Sequence, residues 1–205
     1  MDCEAKPVVY SGMSTPWGKA QGAHVLAPGI GSVSTAGHGG VKVDRAHNAA
    51  MPEYMRRAGG WYEEDCDWCL PFVCFGGEIL KVGEKYAVAA IQDGSHYSTL
   101  KNWHPAAYER FTGVELKPGE SYMRDKELFE EAHKGDMVSV SASGDWHEDC
   151  PKGFVLVTAT RGGGRYPDDW KTKKTYLVPA EEYKDDRHRF GFVIDEARHN
   201  AVAVA

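Results

Sequence analysis

The residues best suited to chemistry fall in two short segments. Ser34-Thr-Ala-Gly-His-Gly-Gly40 sets His38 among three glycines. Imidazole can exchange a proton or ligate a metal near neutral pH, and glycines on either side let backbone or ligand approach closely. Gly59 to Cys74 carries Glu63-Glu64-Asp65 directly after Gly59-Gly60-Trp61-Tyr62. One of these carboxylates could orient the imidazole while another accepts a proton, or the set could share a metal. Each segment also has a plainer reading. The first could be a tight β corner whose histidine satisfies a backbone carbonyl, the second a helix N-terminus whose acids suit the macrodipole. His38, Glu63, Glu64 and Asp65 are the candidate catalytic residues, and their chemistry depends on the two segments meeting in space.

Three further groupings carry less. Cys66-x2-Cys69-x4-Cys74 lacks the second ligand pair of a zinc site, and Cys69 and Cys74 lie in the apolar stretch Trp68 to Phe75, so buried thiols are expected and no metal site is assigned. A Cys66–His38 nucleophile pair is disfavoured because neighbouring acids oppose a thiolate. Arg161-Gly-Gly-Gly-Arg165 could cradle an anion with Arg161 and Arg165, although a flexible hairpin loop is the simpler expectation. Gly144 to Pro151 holds His147, Glu148 and Asp149 beside Trp146, a pattern that reads as a solvated connection.

The elements that must position these residues follow from punctuation and periodicity. Residues 1–15 are polar and broken by Pro7 and Gly12, a flexible lead-in to a single α+β domain over 16–205. Ala23 to Ala27 and Ile30 to Thr35, joined by Pro28-Gly29, predict a hairpin, and Gly40 to Val43 a third strand. Asp44 is placed to cap a helix from Arg45, with a short second helix over 53–57. Tyr62 to Phe75 predicts a helix opened by acids and ended or kinked at Pro71. Further helices are expected over 84–101, 105–111 and 122–133. After Gly135 the texture becomes β, with strands near 137–141, 154–160, 174–178 and 190–194. Strands, helices and strands in blocks, without βαβ alternation, imply α+β with an N-terminal hairpin region, central helices and a mainly antiparallel C-terminal sheet.

Composition narrows the setting. With 205 residues the chain can bury about 70% of its unfolded surface. Its 42% hydrophobic and 26% charged residues exclude the regime of disorder. A net charge of -6 argues against direct nucleic-acid binding through a large basic face. Five cysteines, an odd number, and the lack of an apolar leader or a long apolar stretch point to reduced cytoplasm and no membrane.

Several segments spread along the chain carry a resemblance. They are Thr15-Pro-Trp-Gly-Lys-Ala-Gln, Ser34-Thr-Ala-Gly-His-Gly-Gly, Gly60-Trp-Tyr-Glu-Glu-Asp-Cys-Asp-Trp, Asn102-Trp-His-Pro-Ala-Ala-Tyr-Glu, Pro118-Gly-Glu-Ser, Leu177-Val-Pro-Ala-Glu-Glu-Tyr and Arg189-Phe-Gly-Phe-Val-Ile-Asp. In these the chain resembles an uncharacterised domain family of bacteria, plasmids and phages, often encoded near antirestriction genes. The resemblance implies an accessory protein of mobile elements that inhibits a host defence system, CRISPR or restriction, by binding a host protein or a protein–nucleic-acid complex. Such a protein needs a complementary face and no catalytic set, and acids at 145–149 or 181–186 could meet a basic channel. The alternative is a small hydrolase or metal-assisted enzyme using His38 with Glu63, Glu64 or Asp65. The sequence leans to the binding protein over the enzyme and identifies no cofactor.

Overall fold

The computed structural model describes residues 7–166 and 168–203. The chain divides into two compact units, the first running to Arg124 and the second starting at Asp125. Of the expected lead-in, residues 1–6 and with them Cys3 lie outside the described residues. Within the described part, Val9 is buried in a small apolar cluster with Ala20 and Val33. Gly12 N–H also donates to the Ala20 carbonyl at 2.8 Å.

The first unit opens with a two-residue hairpin, β1 (Ser14–Thr15) and β2 (Gly18–Lys19). A four-stranded antiparallel sheet follows, built from β3 (Gly22–Ala27), β4 (Ile30–Ser34), β5 (Gly39–Val43) and β6 (Trp61–Glu63) in sequential order. The Pro28-Gly29 turn closes β3 on β4 as the sequence predicts, with Gly29 at φ +79, a conformation that favours glycine. Asp44 caps α1 (Arg45–Ala50) by accepting the His47 N–H through Oδ1 at 2.8 Å.

The stretch 62–75 corrects the sequence reading. The acids do not open a helix. Tyr62 pairs with Val41 and Glu63 with Gly40 in β6, because β-propensity at Trp61-Tyr62 and an available sheet edge outweigh local charge. The helix α2 begins only at Cys69 and runs to Val82. Pro71 neither ends nor breaks it, since it sits in the first turn, where its missing N–H has no intrahelical partner to lose. The irregularity falls instead at Phe75 (φ -123, ψ 20). The single helix expected over 84–101 is two, α3 (Lys85–Gln92) and α4 (Ser95–Trp103), separated at Gly94 with φ +77. Then come α5 (Pro105–Thr112) and α6 (Tyr122–Ala132), the latter spanning the division between the units.

One core ties the first unit together. Leu26, Ile30, Val43 and Tyr62 from the sheet meet Met51, Met55, Leu70, Phe72, Ile79 and Leu100 from the helical segments, all buried. Fully burying each large side chain is worth about 1.5–3 kcal/mol. This cluster fixes the sheet against α2, and with it the side of the sheet on which the 63–68 turn stands.

The second unit is an antiparallel sheet of β7 (Met137–Ser143), β8 (Phe154–Arg161), β9 (Lys174–Pro179), β10 (Val193–Ile194) and β11 (Asn200–Val202), ordered β10-β7-β8-β9-β11. Helix α7 (Ala180–Asp186) follows β9. Its core is Met137, Val157, Ala159, Tyr176, Val178, Phe192 and Ile194. The architecture is α+β, with the N-terminal hairpin, central helices and antiparallel C-terminal sheet expected from the sequence.

Candidate functional site

The β4–β5 corner is a closed four-residue turn. Thr35 N–H and Thr35 Oγ1 both donate to the His38 carbonyl at 2.7 Å, and His38 N–H donates to Thr35 Oγ1 at 3.1 Å. His38 therefore occupies a fixed last position of the turn. β6 brings the acids beside it: Gly40 pairs with Glu63, and the Glu64 N–H donates to the Gly39 carbonyl at 3.2 Å.

Two adjacent strand residues would point to opposite faces. The chain escapes that rule by leaving the strand at Glu63. Oε2 of Glu63 accepts the backbone N–H groups of Asp65 at 2.8 Å and Cys66 at 3.4 Å, and the Trp68 N–H donates to the Glu63 carbonyl at 2.8 Å. These bonds curl 63–68 into a turn that swings Glu64 back over the corner. Nδ1 of His38 then lies 3.1 Å from Oε1 of Glu63 and 3.4 Å from Oε1 of Glu64.

Oε1 of Glu63 is buried and makes no hydrogen bond among the described residues, so its approach to Nδ1 is close without being directional. Gly39 makes the arrangement possible. A Cβ there would stand 2.4 Å from Oε2 of Glu64 and 2.7 Å from the Val33 carbonyl oxygen. Glu64 also lines a largely apolar cavity of about 310 Å³, formed with Val33, Val41, Trp68, Phe72 and Tyr86.

Asp65, the fourth candidate, is exposed, and its backbone N–H donates to Oε2 of Glu63. Arg161 and Arg165 do not form an anion cradle with the glycines between them. The Arg161 guanidinium bonds the Gly135 carbonyl at 2.9 Å and Glu196 at 3.2 Å. The Gly162 and Gly163 N–H groups are spent on Asp136 and Thr160 carbonyls, and Arg165 is exposed. In the connection between β7 and β8, Asp145, Trp146, Glu148 and Asp149 are exposed, and His147 Nδ1 accepts the Asp149 N–H at 3.3 Å.

A second cluster escaped the sequence reading. Arg57 holds Asp67 in a bidentate pair, Nε to Oδ2 and an η nitrogen to Oδ1, both at 2.8 Å. Nε2 of His104 lies 3.2 Å from Oδ1 of Asp67 and 3.3 Å from the Cys66 carbonyl oxygen. Burial works against the Asp67 carboxylate, but hydrogen bonds from His104 and Arg57 outweigh it and hold its pKa at about 2. Asp67 and His104 both fall in segments that carry the family resemblance, which was the available signal. The cysteines behave as core thiols: burial pushes Cys69 up strongly and Cys74 to about 11. Burial, then Asp67, Glu63 and Asp65, raise Cys66, which leaves it a poor nucleophile.

Residues 10–134 match the model of a family described as a domain of unknown function, DUF7007. The chain belongs to that family. The DUF7007 residues include the His38 turn, the 63–68 turn and His104. The motifs at 177–183 and 189–195 fall beyond them. No curated protein and no solved structure matches the chain. Among the described residues no helix is long and apolar enough to cross a membrane.

Proposed function

We propose that the DUF7007 region is a hydrolytic enzyme whose reacting centre is His38 with Glu63 and Glu64. The observation that carries this reading is the convergence of two carboxylates on Nδ1 of one histidine at 3.1 and 3.4 Å, with Glu64 shared by an apolar cavity. A substrate with an apolar group against Trp68 and Phe72 would present its polar, scissile group toward the histidine. Glu63 is the better held carboxylate, through its two backbone bonds, and serves to orient the centre. Glu64, half exposed, is the one able to accept a proton from water. Asp65 acts only by supporting Glu63.

The test is turnover of a panel of chromogenic acyl and phosphoryl esters by the full chain. Loss of a general acid–base group removes about 10²–10⁴-fold in rate, so His38→Ala and Glu64→Gln should each fall at least 100-fold while keeping the wild-type circular dichroism. Turnover that survives in both variants, or is absent from the wild type across the panel, refutes the reading.

A second reading is supported by the exposed β7–β8 connection. It makes the chain a cytoplasmic accessory protein of phages or plasmids that blocks CRISPR or restriction by binding a host protein or protein–nucleic-acid complex. Trp146 is 77% exposed and flanked by exposed Asp145, Glu148 and Asp149. Tryptophan is enriched among residues that anchor interfaces, and flanking acids complement a basic surface. In cells carrying a restriction or CRISPR system and challenged with phage, Trp146→Ala should then abolish protection of the phage while His38→Ala preserves it. The opposite pattern returns the function to the histidine centre.

A further inference from the structure

We propose that Nδ1 of His38, Oε1 of Glu63 and Oε1 of Glu64 bind one first-row divalent cation of the Mn2+ or Zn2+ class. The inference rests on the reading of these three residues as the reacting centre, and adds the group that would bring them together. Distances support it first. Ligands bonded at about 2.1 Å to a common ion stand about 3.0 Å apart at octahedral and about 3.4 Å apart at tetrahedral angles. The two separations from Nδ1 are 3.1 and 3.4 Å, and His38, Glu63 and Glu64 each place a ligand atom within 4.8 Å of the other two.

Proton counting supports it independently. Nδ1 carries at most one hydrogen and can satisfy one oxygen well, yet two carboxylates approach it. Oε1 of Glu63 is buried with no hydrogen bond among the described residues. Leaving a buried acceptor unsatisfied is costly, and more so for a charged one. A cation at this point supplies what a single proton cannot. The other Glu63 oxygen is held by the Asp65 and Cys66 N–H groups, which orients the carboxylate before any ion arrives. Gly39 gives the Glu64 carboxylate its clearance.

The neighbouring Cys66–Asp67–His104 grouping also brings ligand atoms together, but both Asp67 oxygens are taken by Arg57, whose charge repels a cation. At the His38 centre the set is one imidazole and two carboxylates, without thiolate. That mixture suits Mn2+, Fe2+ or Zn2+, whereas Mg2+ and Ca2+ prefer oxygen alone and Cu+ prefers sulfur. His38 and Glu64 are 47% and 48% exposed, so the remaining coordination positions open to water, as in catalytic rather than structural sites.

The full chain, stripped with a chelator and dialysed, is titrated with MnCl2 and separately with ZnCl2 by calorimetry, with Mn2+ paramagnetic resonance as a second readout. One equivalent per chain is expected. Affinity should fall at least about 10-fold in His38→Ala and in Glu64→Gln, with circular dichroism unchanged; Glu64 is exposed, so its variant tests binding without a folding penalty. No saturable binding of either ion, or binding that both variants retain, overturns the proposal. Histidine-dependent ester hydrolysis that persists in excess chelator would also overturn it while leaving the hydrolase reading intact. Stoichiometric, His38-dependent binding without any hydrolysis would do the reverse.

Discussion

Replacing Asp67 by Asn should cost about 2 kcal/mol of stability at pH 7 and much less in acid. Asp67 is held by two 2.8 Å bonds from Arg57 and a 3.2 Å approach from His104 Nε2, and its side chain is 20% exposed. Its pKa stands at about 2 against an ordinary 3.8. At 1.36 kcal/mol per pH unit, that displacement is worth about 2 kcal/mol. Because the folded value is depressed, the contribution is complete above about 3.8 and disappears as pH falls through about 2. Roughly half should be gone at pH 3. Asparagine keeps the size but not the charge, so the partly buried Arg57 guanidinium loses its counter-charge, a loss already contained in the pKa displacement of Asp67. Urea unfolding of wild type and Asp67→Asn at pH 7 and pH 3, followed by circular dichroism, reads the effect. The difference between them should shrink by about 1 kcal/mol on going to pH 3. A deficit below about 0.5 kcal/mol at pH 7, or one that does not change with pH, would refute the reasoning.

Three other expectations follow from the same geometry. Gly39→Ala should destabilise by about 1–3 kcal/mol, because the new methyl meets Glu64 and the Val33 carbonyl; Gly37→Ala, with nothing within 4 Å, should be near neutral in the same thermal melts. Asp44→Ala removes the α1 cap and should cost about 1 kcal/mol. Burial pulls the His47 pKa down, but Asp44 and Glu78 outweigh it and leave it raised. The variant should therefore show a lower His47 pKa by NMR titration, and the wild type should lose the His47 contribution as pH rises through the raised value; an unchanged titration would sink the argument. Iodoacetamide at pH 8 should spare Cys69 and Cys150, both buried, in the native chain and modify them in urea; equal labelling of either in the two states would contradict the core assignment.

Much of the fold was legible because its signals are local. Pro28-Gly29 sets a turn, Asp44 a cap, and the alternating runs after Gly135 a sheet, each by backbone preferences that act over a few residues. Helix α7 and strand β11 were missed. Ala180 to Asp186 lacks an apolar stripe, and Asn200 to Val202 is too short to show a period. The acids at 63–65 were misassigned to a helix start for a related reason: charge placement suits a helix N-terminus and a strand end equally, and only the open edge of β5 decides between them.

The candidate site divides in the same way. The sequence by itself determined which residue types were available, a glycine-flanked imidazole and a run of carboxylates, and that the chain could bury a core without disulfides. Tertiary structure alone decided that Glu63 and Glu64 reach Nδ1 of His38 while Asp65 does not. That selection follows from the β5–β6 register, the backbone bonds that curl 63–68, and the missing Cβ at Gly39. It also decided that Asp67, indistinguishable in sequence from its acidic neighbours, is committed to Arg57 and His104. Composition and spacing reveal chemistry that a chain can carry. Which groups share a few ångströms depends on pairings between segments dozens of residues apart, and those are set by the packing of the whole unit.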